Sequence, residues 1–353
     1  MSSTDGFTHS GVQMEDGHRA LPRQSIRASF TNGGPITVVA RAATDLGLRR
    51  ENNEDSYGFW LPDEPEERER RGLLLTVADG MGGVKGGEVA SRITVETLMH
   101  AYRDAPGADI AENLHGAVVA ANAMVHRESL QHPELSGMGT TCTAAVVRGR
   151  DVVVAHVGDS RAYLVRSGSI RQLTHDHSLV GQLVRDHQLT AEQARTDPRR
   201  NVVTRSVGIS TEVDVDTERI SESLQNGDVL ILCTDGLHGL VADEELSVAV
   251  TDHELDQACD ALIALAKRRG GHDNITLILA RAESNEPGEP LSTSSTKHSP
   301  RARSNPAVAI LIVAGFLLLL LALGAIGWLL LRMTHEPGSR GAALTGRPTA
   351  RAT

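Results

Sequence analysis

Residues Leu73–Gly83 read LLLTVADGMGG. The apolar, β-branched first half predicts a buried strand. The strand ends on Asp79, followed by Gly80, Met81, Gly82 and Gly83. A carboxylate at the end of a buried strand is costly unless a cation or a metal pairs with it. Asp-Gly is also a common turn signal, so at this one place a turn is the simpler reading.

Other strands end the same way. VLILCTDG carries Asp235 before Gly236, and VVVAHVGDS carries Asp159. GGHDN sets Asp273 just ahead of the apolar ITLIL, and NNEDSYG sets Glu54 and Asp55 beside a further strand. Antiparallel strands bring alternate ends to one sheet edge, so five such sites in one domain point to convergence. Carboxylates without thiolate or imidazole partners favour hard cations such as Mg²⁺, Mn²⁺ or Ca²⁺. Two such ions suit in-line displacement at phosphorus. A glycine after the aspartate permits close backbone approach, and its carbonyl can itself be a ligand. A nucleotide-binding loop fits ADGMGGVKGGE poorly. Lys85 is followed by Gly86 rather than Ser or Thr, and the third glycine of a dinucleotide fingerprint would fall on Lys85.

The chain has 353 residues and a formal net charge of -10. That charge argues against a general nucleic-acid binder, and an aromatic content of 3% argues against a stacking platform for single strands. Cys142, Cys233 and Cys259 are odd in number and widely spaced, as reduced core residues are, and they show no metal-ligand spacing.

Residues 1–36 are polar and lack apolar period, which predicts a flexible arm. Residues 37–283 hold every strong periodic signal and form the predicted domain. Its expected strands are ITVVARAA, LLLTVAD, TTCTAAVVRG, DVVVAHVGD, RAYLVRSG, VLILCTDG and NITLILARA, and its expected helices cover 86–103, 109–130 and 253–268. Three closely spaced strands between Thr140 and Val165 favour a meander and an α+β class. Residues 174–212 fit neither a simple strand nor a simple helix, and are read as a functional insertion or a plain surface one.

Residues 284–305, SNEPGEPLSTSSTKHSPRARSN, read as a flexible linker spanning roughly 25 Å. Ala307–Leu331 contain no charged residue, and about 25 residues exceed the ~30 Å hydrocarbon core, so 306–331 are expected to form a transmembrane helix. Trp328 and Arg332 suit its interface, and 332–353 form a short polar tail. With no apolar signal-peptide region at the N-terminus, the large domain is expected in the cytoplasm of a single-pass protein of the cell membrane.

ATDLGLRRENNEDSYG, VADGMGGVKGGEVAS, GMGTTCTAAVV, HVGDSRAYLVRSG, ILCTDGL and GGHDNITLI follow one another in the order found in PP2C-type (PPM) metal-dependent serine/threonine phosphatases. Over about residues 37–283 the chain resembles that family, and most closely its bacterial branch. The resemblance implies a sandwich of two antiparallel sheets flanked by helices, with two Mn²⁺ or Mg²⁺ ions at one end. Carried over by motif, Asp79 bridges both ions and the Gly80 carbonyl binds one. Asp235 and Asp273 complete the shell, while Glu54 and Asp55 hold metal-bound waters. Asp159, with Asp235, matches a third-ion site. Arg50 matches the arginine that grips substrate phosphate, and Asn274 the residue that supports the water and phosphate network. The 174–212 segment matches the flap. Met81 stands where some eukaryotic members have a histidine proposed as general acid, so the proton donor is open; His156, His175 and His177 lie near in sequence. The implied substrates are phosphoserine and phosphothreonine proteins, membrane Ser/Thr kinases among them. The competing reading is a pseudophosphatase or phosphoprotein-binding module; retention of Asp79, Asp235 and Asp273 together weighs against it.

Overall fold

A computed structural model describes residues 23–32, 34–82 and 86–284. All of these lie in the first of two units into which the chain divides, residues 1–287 and 288–353. The expected membrane span, its flanking tail and nearly all of the expected linker fall outside the described residues. Among the described residues no helix is long and apolar enough to cross a membrane.

Two six-stranded antiparallel sheets pack face to face. The first runs β1 (Arg23–Phe30), β2 (Ile36–Asp45), β12 (Ile275–Ser284), β11 (Val229–Cys233), β8 (Arg161–Arg166) and β9 (Ser169–Gln172). The second runs β10 (Asp216–Arg219), β7 (Asp151–Val157), β6 (Cys142–Arg148), β4 (Leu73–Met81) and β3 (Asp55–Trp60), with the short β5 (Gly139–Thr140) paired to β4. The helices are α1 (Pro65–Arg71), α2 (Gly86–Asp104), α3 (Ile110–Gln131), α4 (Leu179–Arg185), α5 (Ala191–Thr196), α6 (Asp235–His238), α7 (Asp243–Asp252) and α8 (Leu255–Arg268).

The near-continuous apolar strands follow from this layering, because both faces of each sheet are covered. On β2, Val38, Ala40 and Ala42 face the space between the sheets, while Val39 and Ala43 pack with Leu262 and Ile263 of α8. On β4, Leu73, Leu75 and Val77 face inward, while Leu74 packs with Leu98 of α2 and Leu114 of α3. Asp109 caps α3 by accepting from the Ala111 and Glu112 N–H groups.

Three expectations change. Residues 23–30 are not part of a flexible arm. They pair along their whole length with β2, and Ala28 and Phe30 are buried between the sheets. Nor do β6, β7 and β8 form a meander: β6 pairs with β7, but β8 pairs with β11 in the opposite sheet. The turn after Val157 therefore carries the chain across the sandwich. Finally, residues 174–212 contain two helices, α4 and α5. Ser178 caps the first, and a Thr190–Gln193 capping box starts the second.

Candidate metal and phosphate site

The carboxylates gather where strands of the two sheets end side by side. Asp55 opens β3 and Asp79 lies near the end of β4, and the two are direct cross-strand partners. Asp235 follows β11 at the start of α6, and Asp273 precedes β12, the strand paired to β11. Asp159 sits in the turn that crosses from β7 to β8. The sheet switch missed in the sequence thus delivers the fifth carboxylate.

The main chain around Asp79 is fastened separately from its carboxylate. The Thr141 hydroxyl accepts the Asp79 N–H at 2.9 Å, and the Thr140 hydroxyl donates to the Asp79 carbonyl at 2.7 Å. Thr141 also bonds Ser160 at 2.7 Å, tying β4 to the Asp159 turn. Gly80 is required by crowding: a Cβ there would run into the carbonyls of Gly87 and Glu54. Gly236 is held the same way against the Asn274 carbonyl.

Mutual repulsion is plain in the electrostatics. Burial first, then Asp235 and Asp273, push the Asp55 carboxyl up to about 7, although the hydroxyls of Thr276 and Thr234 hold it back. Burial and the neighbouring Asp235 and Asp176 push Asp159 up to about 8. Asp79 is raised well above the ordinary range by desolvation and by four surrounding aspartates, Asp55, Asp235, Asp159 and Asp273. Asp235 is raised by desolvation and by Asp273. Glu54 is raised mainly by burial, against the pull of Arg50.

Arg50 is a cation facing this cluster. Its Nε and Nη2 reach Asp273 Oδ1 and Oδ2, each at 2.8 Å, and its Nη1 lies 3.6 Å from Glu54. A planar fork of this kind also matches two phosphate oxygens. Asn274 differs from expectation. It is buried, its side-chain carbonyl accepts the Glu54 N–H at 2.8 Å, and its amide donates to the carbonyls of Leu46 and Asn52 at 3.0 Å. With those groups committed to backbone, it holds the loop that carries Arg50 instead of presenting its amide to a phosphate.

The donor set fits hard divalent cations. It is rich in carboxylate oxygen, and Asp235 Oδ1 is buried without a hydrogen-bond partner. The fit lies in charge and desolvation: among the described residues no three His, Cys, Asp or Glu side chains already stand grouped to hold an ion. The sequence reading missed the hydroxyls beneath the carboxylates. Thr234 donates to Asp55 at 2.9 Å, and Ser91 donates to the Glu54 carbonyl at 2.6 Å. For Thr234 the signal was adjacency, the TD of ILCTDG; for Ser91, in another element, there was none.

Two of the nearby histidines have structural partners. His156 Nδ1 bonds Thr143 at 2.9 Å, and the His177 ring lies 4.8 Å from the His156 ring. His175 is exposed. Met81 pairs with Gly139 and offers no proton.

The protein phosphatase 2C model matches residues 49–276. The serine/threonine protein phosphatase PstP of Mycobacterium tuberculosis is 38% identical over 247 residues, 69% of this chain and 45% of that protein, so the match spans less than half of that relative. The serine/threonine phosphatase stp of Listeria monocytogenes is 36% identical over 254 residues, 70% of this chain and 98% of that protein. The crystal structure of M. tuberculosis PstP/Ppp superposes with a TM-score of 0.62 at 37% identity, covering 70% of this chain and 99% of that one. The PstP catalytic domain in complex with two manganese ions gives 0.60 at 35% identity, covering 70% and 100%.

Proposed function

The chain belongs to the protein phosphatase 2C family, and from that premise we propose that it hydrolyses phosphoserine and phosphothreonine esters in proteins. The observation that carries this reading is the set of five aspartates at the strand ends of two sheets, with Asp235 Oδ1 buried and unpartnered. Asp79, Asp235, Asp273 and the Gly80 carbonyl would hold two Mn²⁺ or Mg²⁺ ions, with Glu54 and Asp55 beside them, and Asp159 with Asp235 would hold a third. When bound, the ions supply Lewis acidity that activates water and neutralises charge at phosphorus.

The chain's own residues do the rest. Arg50 turns its fork from Asp273 to the substrate phosphate, stabilising charge as it develops on the equatorial oxygens. Asn274 fixes the Leu46–Glu54 loop, so the Arg50 main chain is already positioned when substrate arrives. The hydroxyls of Thr140 and Thr141 keep the Asp79 backbone in place while its carboxylate faces the site.

The test is hydrolysis of a phosphothreonine peptide by the full chain with Mn²⁺, with Mg²⁺ and with EDTA. Turnover that needs metal and disappears in Asp79→Asn and Asp235→Asn is expected. A folded, Mn²⁺-loaded protein without turnover would move the reading to a phosphoprotein-binding module.

The same proposal extends to the cell. Residues 306–331 tether the domain on the cytoplasmic face of the membrane and raise its effective concentration toward membrane Ser/Thr kinases. Their apolar, charge-free sequence supports this. Removing residues 307–353 is expected to leave peptide hydrolysis intact and to slow dephosphorylation of such kinases in cells. Unchanged cellular rates would reject the tether.

A further inference from the structure

His177 joins three parts of the chain that meet beside Asp159. Its main-chain N–H donates to the Gly158 carbonyl at 2.6 Å, and its Nδ1 accepts the Gly158 N–H at 3.1 Å. Gly158 is therefore held from both its polar groups by one residue. It has a φ of +112°, and a Cβ there would run into Thr141, so the turn has little room to move. Asp159 is the next residue.

The same histidine closes the neck of the 174–212 segment. Its carbonyl accepts the Thr204 N–H at 2.7 Å, the Leu179 N–H donates to the Val202 carbonyl at 2.8 Å, and Ser178 bridges to Val203. With Nδ1 accepting, the neutral ring carries its proton on Nε2, which lies 3.0 Å from Asp216 Oδ2 on β10. Asp216 is also bonded by Arg205 at 2.9 Å, from the outgoing side of the segment. On the incoming side, Arg161 forks Asp176 at 2.8 and 2.7 Å, so the residues flanking both Asp159 and His177 are locked together. Only 3% of His177 is exposed, which keeps water from replacing these bonds.

We propose that His177 is a positioning residue that couples the 174–212 segment to the Asp159 carboxylate, through the pair of hydrogen bonds it makes with Gly158. The proposal rests on the phosphatase reading only in giving Asp159 an ion to bind. The two nitrogens have separable tasks. Nδ1 fixes the turn that aims Asp159, and Nε2 fixes the exit of the segment through Asp216. Movement of the segment then changes the geometry at Asp159 first.

Amide side chains separate the tasks. The Asn oxygen reaches the position of Nδ1 and keeps an acceptor for Gly158, whereas Gln places its polar end near Nε2 and keeps only the Asp216 contact. Full chains carrying His177→Asn, His177→Gln and His177→Ala are compared with the wild type. Mn²⁺ binding is followed by electron paramagnetic resonance of the free ion, and the segment by the rate of tryptic cleavage at Arg195, Arg199 and Arg200.

His177→Gln and His177→Ala are expected to weaken the weakest-bound ion about 10-fold while leaving the tighter ions unchanged. His177→Asn and His177→Ala, which lose the Asp216 contact, are expected to speed cleavage about 5-fold, the effect of losing one ordinary hydrogen bond, while His177→Gln keeps the wild-type rate. His177→Asn is expected to keep wild-type ion binding. Asn that weakens ion binding as much as Gln, or Gln that binds the ions as the wild type does, overturns the proposal. If the wild type binds no Mn²⁺ the phosphatase reading fails, and cleavage alone decides the anchor: equal rates in wild type and His177→Ala overturn it.

Discussion

Replacing Asp235 by Asn removes one negative charge from the most crowded part of the site while nearly preserving shape. In the metal-free protein Asp235 is pushed toward protonation by desolvation and by Asp273, and its own charge raises Asp55, Asp79 and Asp159. Each of these folded carboxyls binds its proton more tightly than the unfolded chain does. Their contribution is thus fully present below the ordinary carboxylate range and is lost as pH rises through the folded values, about 7 for Asp55 and about 8 for Asp159. At pH 8 the wild type bears most of this repulsion. Exchange of a poorly compensated buried charge for a neutral isostere should stabilise the metal-free chain by about 1–3 kcal/mol. At ~2–4 °C per kcal/mol for a domain of this size, Tm should rise by about 3–10 °C. Mn²⁺ should do the reverse for the pair: at 100 times its Kd it adds about 2.7 kcal/mol to the wild type, and much less to Asp235→Asn. Scanning calorimetry at pH 8, with EDTA and with Mn²⁺, reads both effects. A variant less stable than wild type in EDTA would refute the reasoning, because Asp235 would then be a hydrogen-bonding residue and not an uncompensated charge.

Asn274→Ala removes the bonds that hold the Arg50 loop and should raise KM for a phosphopeptide about 10-fold, since a buried amide tie is worth about 1–3 kcal/mol; steady-state kinetics with kcat largely retained would support this. Gly80→Ala forces a Cβ against the Gly87 and Glu54 carbonyls and should destabilise the domain by about 1–3 kcal/mol, read by urea unfolding. Burial and the neighbouring His177 hold His156 down to about 4, so the unfolded chain takes up its proton first, near pH 6.5. The stability it confers is present above pH 6.5 and is lost as pH falls to about 4, by up to about 3 kcal/mol. Measured in Mn²⁺ against His156→Leu, that difference in pH slope should appear; parallel slopes would show that the folded ring titrates normally.

Much of the secondary structure was legible because it is written locally. The apolar runs at Leu73–Val77 and Val229–Cys233 are strands buried on both faces, and the spacing in 86–103 and 109–130 matches α2 and α3 within a residue or two. The edge strand β1 escaped because its outer face is polar: in RQSIRASF only Ile26, Ala28 and Phe30 point inward. The helices α4 and α5 escaped because they are too short for an apolar period to show, although the capping pair Thr190 and Gln193 stood in the sequence.

The sequence by itself determined which residues could carry the chemistry. Asp79, Asp159, Asp235 and Asp273 each stand beside a strand, and that follows from nearest neighbours alone. Tertiary structure decided what they face. The pairing of Asp55 with Asp79, the crossing of the chain at Gly158, the closure of Arg50 on Asp273 and of His177 on Gly158 all join distant segments. Those contacts depend on strand register, and register is set when both faces of each sheet find their apolar partners, a condition no single stretch of sequence contains.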